Sequence, residues 1–135
     1  IYNAAKNGKL FPLFKSENPA YKDGEQMRDF MWIEDTVDVI LWLMQHPEIS
    51  GLFNIGTGQA RTYADVLRAV YAALDEKPEM DFMDLPAEIK GQYQYFTQAD
   101  IQKLRTAGYT KPFTSLEDGV AKYIREYLES ADPYR

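Results

Sequence analysis

The stretch 28–35 constrains the fold of this chain more than any other, because it joins two kinds of local structure without a linker. Its aromatic residues favour strands, whereas Asp35 is a favourable helix N-cap. The residues that follow repeat apolar side chains at helical spacing. The sequence therefore predicts a short strand at 30–33 and a helix capped by Asp35, with the cation Arg28 at the entrance of the strand.

Composition limits the class of partner. The chain has 135 residues, of which 45% are hydrophobic and 14% aromatic, so it is the size of about one small domain with enough apolar side chains for a core. Its net charge of -6 argues against a nucleic-acid partner, because phosphate backbones are bound by excess Lys and Arg. A small anionic ligand remains compatible, since one or two well-placed cations bind it.

Cysteine is absent from the sequence, which excludes a disulfide framework and a cysteine-based zinc site. No apolar run approaches the roughly 20 residues of a membrane span, and no signal peptide opens the chain. We therefore expect no membrane partner and a cytoplasmic location.

Residues 1–8 resemble the last turns of a helix closed by Gly8, and no methionine begins the chain. We expect residues 1–135 to be the C-terminal portion of a longer protein.

Further elements are predicted from local signals. Apolar segments predict strands at 9–14, 52–55 and 80–85, and the helix after Asp35 is expected to end near Pro47. Three more helices are predicted from capping pairs, which are Thr62 with Asp65, Thr97 with Asp100, and Thr114 with Glu117. Between the first two strands, 15–27 is a polar loop whose length leaves ligand binding and disorder as alternatives.

Two patterns imitate functional motifs. Tyr2 and Lys6 have the spacing at which a lysine lowers the pKa of a catalytic tyrosine, but such pairs recur often on helices. The turn 56–58 resembles the start of a dinucleotide-binding motif, but Arg61 stands where the third glycine belongs. We predict neither catalytic residues nor a cofactor site in this chain.

Four blocks, 28–38, 53–58, 91–100 and 104–113, follow one another along the chain. The first two together resemble the nucleotide-sugar branch of the extended short-chain dehydrogenase/reductase (SDR) family, and the last two resemble its ADP-heptose 6-epimerases. The resemblance implies an α/β fold. It would be the C-terminal substrate-binding part of an extended SDR, with a few strands and helices of an incomplete Rossmann domain.

The resemblance also implies a function for the longer protein. Members of this family invert C6 of ADP-glycero-manno-heptose by NADP-mediated oxidation and re-reduction, in the synthesis of the lipopolysaccharide inner core. NADP would be bound by an N-terminal Rossmann part that residues 1–135 lack, and the catalytic tyrosine and lysine would precede Ile1. We therefore expect this chain alone to be inactive.

The same resemblance implies substrate-binding residues. Arg28 resembles the arginine beside the ligand diphosphate, where a forked donor suits two oxygens, and Tyr93 resembles a ligand-contacting tyrosine. Phe14, Lys15 and Ser16 resemble a loop that contacts sugar and nucleotide.

Alternatives remain open for the roles of the site residues and for the function of the whole protein. Arg28 would otherwise form a surface ion pair with an acid such as Asp29, and Tyr93 would otherwise pack in the core. The protein would otherwise be another nucleotide-sugar SDR, a 4-epimerase or dehydratase, or a catalytically silent sugar-nucleotide-binding module. The apolar faces of the helix after Asp35 and of the segment at Phe53 lead us to expect a homo-oligomer.

Overall fold

The computed structural model describes residues 1–132. Within them, helices and short strands are mixed along the chain, in agreement with the predicted α/β class. The elements are α1 (Tyr2–Lys6), β1 (Pro12–Phe14), β2 (Met27–Arg28), α2 (Ile33–Gln45), β3 (Arg61–Thr62), α3 (Tyr63–Ala73), β4 (Asp81–Met83), α4 (Gln102–Thr106) and α5 (Leu116–Tyr123). A 3₁₀ turn spans Lys90–Gln92, and a π-helical turn, Ile124–Leu128, continues α5.

The strands form two pairs. β1 runs parallel to β4, and β2 runs antiparallel to β3. Met27 also forms a parallel bridge with Phe96: its N–H donates to the Tyr95 carbonyl at 2.8 Å, and its carbonyl accepts from the Thr97 N–H at 3.2 Å. These bonds hold the segment 95–97 against the strand that carries Arg28.

Two apolar clusters form the core. The larger one joins α1, β1, α3 and the π-helical turn through buried residues that include Leu13, Leu67 and Ile124. The smaller one joins α2 to α4 and the residues after it through Val39, Leu104 and Tyr109. The residues between β1 and α2, which include Arg28, therefore connect the larger apolar cluster to the smaller one.

The prediction for 30–33 is wrong. The strand lies earlier, at Met27–Arg28, because these are the residues that pair with Thr62 and Arg61 of β3. The helix also starts earlier, at Ile33 after the N-cap Trp32. Asp35 is therefore not a cap; its buried carboxylate accepts hydrogen bonds from the Thr114 N–H at 2.7 Å and from its hydroxyl at 3.1 Å.

Three further boundaries differ from prediction. Segment 52–55 is not a strand, because no described segment forms a ladder with it. α4 starts at Gln102 rather than after Thr97, whose N–H is used by the Met27 carbonyl. α5 is capped by Ser115, whose hydroxyl accepts from the Asp118 N–H at 3.1 Å, since Thr114 is engaged by Asp35.

The other local predictions are confirmed. α1 ends before Gly8, which has a φ of 62°, and α2 ends at Gln45, before Pro47. The capping box of α3 is formed: the Thr62 hydroxyl accepts from the Asp65 N–H at 3.0 Å, and the Asp65 carboxylate accepts from the Thr62 N–H at 3.2 Å. β1 and β4 lie within the predicted segments.

Candidate functional site

Arg28 lies in β2 with its guanidinium near two tyrosine rings. The guanidinium carbon is 5.7 Å from the centroid of Tyr93 and 6.0 Å from that of Tyr63, distances at which a cation is attracted to a ring. One Nη1 hydrogen donates to the Met27 carbonyl at 2.7 Å. The rings and this bond give the charged group a defined position.

No acidic partner neutralises this arginine. Within residues 1–132, no carboxylate lies within 4.0 Å of the Arg28 guanidinium. The predicted alternative, an ion pair with Asp29, is wrong, because the Asp29 carboxylate faces other donors. Since a guanidinium carries five N–H donors and one is used, most of the fork is available to an anion.

An aromatic cluster, Phe14, Tyr21, Tyr93 and Tyr95, extends from Arg28 to the loop after β1. Tyr93 packs edge-on against Phe14, with centroids 6.0 Å apart, and against Tyr95, at 5.4 Å. Tyr21 stacks on Tyr95 at 5.5 Å. Burial raises the pKa of Tyr93, which keeps its phenol neutral and able to donate. Tyr93 is half-buried, so ring packing and ligand contact are compatible.

The structure thus brings Phe14, Tyr93 and Arg28 together, whereas Lys15 and Ser16 have partners outside this group. Lys15 forms an exposed ion pair with Asp84, Nζ to Oδ1 at 3.0 Å, and this hydrogen bond raises the pKa of the lysine. The Ser16 N–H donates to Asp23 Oδ1 at 2.7 Å and its hydroxyl to the Asn18 carbonyl at 2.8 Å.

Gln26, which the sequence reasoning missed, holds the backbone at the end of β1 through hydrogen bonds. It is only 1% exposed, and its Nε2 donates to the carbonyls of Phe14 at 3.1 Å and Lys15 at 3.3 Å. A glutamine among polar loop residues carries no local signal of such burial. Its effect is to fix the backbone from which the side chains of Phe14, Lys15 and Ser16 project.

A cleft of about 520 Å³ lies beside Arg28 and is lined by Arg28, Asp29, 53–55 and 97–100. A set of contacts that we call the Asp29 junction, formed by Asp29, Thr57, Gly58 and Ala99, joins its walls. Asp29 Oδ1 accepts from the Thr57 N–H at 2.9 Å and from its hydroxyl. Oδ2 accepts from the N–H groups of Gly58 and Ala99, both at 3.0 Å.

These bonds set the charge state of Asp29. Burial alone would raise the pKa of its carboxyl, but the hydrogen bonds from Thr57, Ala99 and Gly58 outweigh burial and hold the pKa below its ordinary value. Asp29 is therefore a carboxylate at neutral pH. The sequence reasoning missed this role of Asp29, because its hydrogen-bond donors are distant in sequence.

The Asp29 junction bears on whether the turn 56–58 fits a cofactor. Two N–H donors of the turn are taken by Asp29, so the turn does not fit the phosphates of a dinucleotide.

Tyr2 and Lys6, which have the i, i+4 spacing of a catalytic pair, are in contact: Lys6 Nζ donates to the Tyr2 hydroxyl at 2.8 Å.

In residues 1–132, no group of three or more His, Asp or Glu side chains is arranged to hold a metal ion. No helix of this part of the chain is long and apolar enough to cross a membrane.

Known proteins resemble this chain over most of its length. Residues 1–56 match the NAD dependent epimerase/dehydratase family. The chain is 50% identical over 122 residues to an ADP-L-glycero-D-manno-heptose-6-epimerase of Nitratidesulfovibrio vulgaris (strain DP4), a match that covers 90% of this chain and 38% of that protein. The chain is homologous to the ADP-L-glycero-D-manno-heptose-6-epimerases.

Two further heptose-6-epimerases support this relationship. That of Fusobacterium nucleatum is 42% identical over 139 residues, covering 98% of this chain and 42% of its own length. The crystal structure of the Helicobacter pylori enzyme superposes with a TM-score of 0.70 at 26% identity, covering 93% of this chain and 36% of that one. The predicted fold, part of an extended SDR, is confirmed. The chain spans about two fifths of the length of its curated heptose-6-epimerase relatives.

Proposed function

We propose that this chain forms the ADP-sugar-binding part of an enzyme that inverts C6 of ADP-glycero-manno-heptose, for the lipopolysaccharide inner core. The observation that supports the proposal is the surroundings of Arg28. Arg28 lines the cleft, and no carboxylate of residues 1–132 lies within 4.0 Å of its guanidinium. The relatives of the chain at 42% and 50% identity are named ADP-L-glycero-D-manno-heptose-6-epimerases.

Arg28 binds the diphosphate of the ligand. A guanidinium presents parallel N–H donors that match two phosphate oxygens, and such charge-assisted bonds are about twice as strong as neutral ones. Tyr63 and Tyr93 flank the guanidinium, so little side-chain freedom is lost when the anion arrives. The neutral hydroxyl of Tyr93 adds a donor beside the diphosphate.

The loop after β1 contacts the sugar and nucleotide. Phe14 contributes a ring face next to Tyr93, and Ser16 a hydroxyl. Lys15 releases Asp84 and binds the ligand instead, which costs little because an exposed ion pair contributes little to stability. Residues 1–135 thus bind and orient the substrate as one substrate-binding region.

The groups that perform the chemistry belong to the part of the relatives that this chain does not span. NADP, bound there, supplies the reversible hydride acceptor. The turn 56–58 does not fit dinucleotide phosphates, because Asp29 occupies two of its N–H donors, and this supports the division. The isolated chain is expected to bind ADP-sugars and to leave them unchanged.

Substitution of Arg28 tests the proposal. Arg28→Ala removes a charge-assisted interaction of about 1.5–3 kcal/mol, so the affinity of the 135-residue chain for ADP-glucose falls by about one to two decades. Arg28→Lys keeps the charge but loses the fork, and gives an intermediate loss. The measurement is isothermal titration calorimetry.

The control is Lys77→Ala, which removes an exposed cation outside this loop and the cleft and leaves the affinity unchanged. UDP-glucose and GDP-glucose, titrated in parallel, bind more weakly than ADP-glucose. Equal affinity of the Arg28→Ala chain and the unsubstituted chain would refute the assignment.

A further inference from the structure

We propose that Asp29 is a positioning residue, which holds Arg28 in the geometry that binds a diphosphate. The inference rests on the proposed function, because it takes Arg28 to be the group that contacts the ligand. Asp29 itself makes no ligand contact in this account; it acts through its neighbour.

Asp29 is saturated by donors that are distant in sequence. The Thr57 N–H and hydroxyl bind Oδ1, while the Gly58 and Ala99 N–H groups bind Oδ2. A carboxylate offers about four acceptor sites, so these four bonds occupy its capacity. One side chain therefore ties together the strand of Arg28, the turn 56–58 and the wall at 97–99.

Arg28 depends on these ties because no carboxylate in the described part of the chain, residues 1–132, forms an ion pair with it. Its preceding neighbour, Met27, is anchored by two backbone bonds to 95–97, and its following neighbour is Asp29. The Arg28 backbone is thus held on both sides over a two-residue strand. If the Asp29 junction opens, β2 keeps its bonds through Met27 and its pairing with β3, but the chain after Arg28 loses its tie to Thr57, Gly58 and Ala99.

The turn is packed tightly against the junction. A Cβ added at Gly56 would lie 2.5 Å from the Ala99 Cβ and 2.7 Å from Asp29 Oδ2, closer than real Cβ atoms approach. Gly56 is buried, so the turn has no room to move toward Asp29 or Ala99. The junction therefore has one arrangement rather than a range of them, as a positioning device requires.

Asp29→Asn breaks this arrangement with little change in shape. The amide keeps one acceptor oxygen and sets an NH₂ group against two backbone or hydroxyl donors. We expect the affinity of the full chain for ADP-glucose to fall by about tenfold, as for the loss of two hydrogen bonds that involve a charged group. Thr57→Val removes the hydroxyl that donates to Asp29 and accepts from the Gln59 N–H, and the expected loss of affinity is about threefold.

A double-mutant cycle separates positioning from general stabilisation. Affinities for ADP-glucose are measured by calorimetry, or by NMR titration for the weakest variants, and melting temperatures by circular dichroism. Because Asp29 acts through Arg28, Asp29→Asn is expected to cause no further loss in the Arg28→Ala background. Thr57→Val should likewise leave the affinity for ADP-glucose unchanged in the Arg28→Ala background.

Each outcome decides one claim. A folded Asp29→Asn chain with a lower melting temperature but unchanged affinity overturns the inference, and so do losses that add across the cycle. If Asp29→Asn does not fold, Thr57→Val decides, and unchanged affinity for that variant overturns it. If Arg28→Ala alone binds ADP-glucose as tightly as the unsubstituted chain, the proposed function is refuted, independently of the role of Asp29.

Discussion

At the scale of single residues, two neighbours of opposite charge have opposite surroundings. Arg28 keeps most of its donors without protein acceptors among residues 1–132, whereas the acceptors of Asp29 are filled by Thr57, Gly58 and Ala99. The resemblance predicted Arg28 and Tyr93 as candidate site residues, and this role remains a prediction. The role of Asp29 was not predictable, because its partners lie 28 to 70 residues away and local spacing carries no information about them.

The lowered pKa of Asp29 makes a prediction about stability and pH. A carboxyl whose pKa is lower in the folded state stabilises the protein above its unfolded pKa, about 3.9 for Asp, and this contribution is lost as the pH falls through the folded value. The difference in free energy of unfolding between the unsubstituted chain and Asp29→Asn should therefore be largest near pH 7 and shrink below about pH 4.

Urea unfolding at pH 7 and at pH 3 measures this difference. Glu88→Gln, which alters an exposed acid, is the control and should change stability little at either pH. A difference for Asp29→Asn that stays constant between the two pH values would show that its ionised form is not stabilised by folding.

At the scale of elements, a capping signal within one turn predicted the helix start only where no distant residue binds the capping threonine. The capping box of Thr62 and Asp65 lies within four residues and was predicted correctly. Thr97 and Thr114 have the same local pattern, but contacts with Met27 and with Asp35 remove them from helix capping. The strand at 52–55 failed for the same reason, since pairing needs a second segment.

This contrast predicts different costs for similar substitutions. Thr62→Ala removes a formed cap and should lower the free energy of unfolding by about 1 kcal/mol, with a range of about 0.5–2. Thr97→Ala removes a threonine that caps no helix, and the change should stay within about 0.5 kcal/mol. Urea unfolding of both variants measures the costs, and equal losses would contradict the assigned helix starts.

At the scale of the whole molecule, α2 leaves one apolar face uncovered. Five of its side chains are 46–72% exposed, namely Ile33, Val37, Ile40, Leu41 and Met44. They recur at helical spacing, and Leu52 nearby in sequence is 85% exposed. A contiguous apolar stripe of this kind marks an interaction surface.

We expect the 135-residue chain to self-associate through this face. Sedimentation velocity should show dimers or larger species whose fraction rises with concentration, and Met44→Lys, which places a charge on the stripe, should shift the chain toward monomer. Lys122→Met, on α5, is the matched control and should leave association unchanged. A strict monomer at high concentration would contradict the expectation.

Binding of an ADP-sugar diphosphate at Arg28 is tested by a crystal structure of the chain with ADP-glucose. We expect phosphate oxygens within hydrogen-bonding distance of the Arg28 guanidinium, in the cleft between 53–55 and 97–100, with the Asp29 junction intact. A diphosphate bound elsewhere, with Arg28 making no contact to it, would show that Arg28 does not bind the ligand.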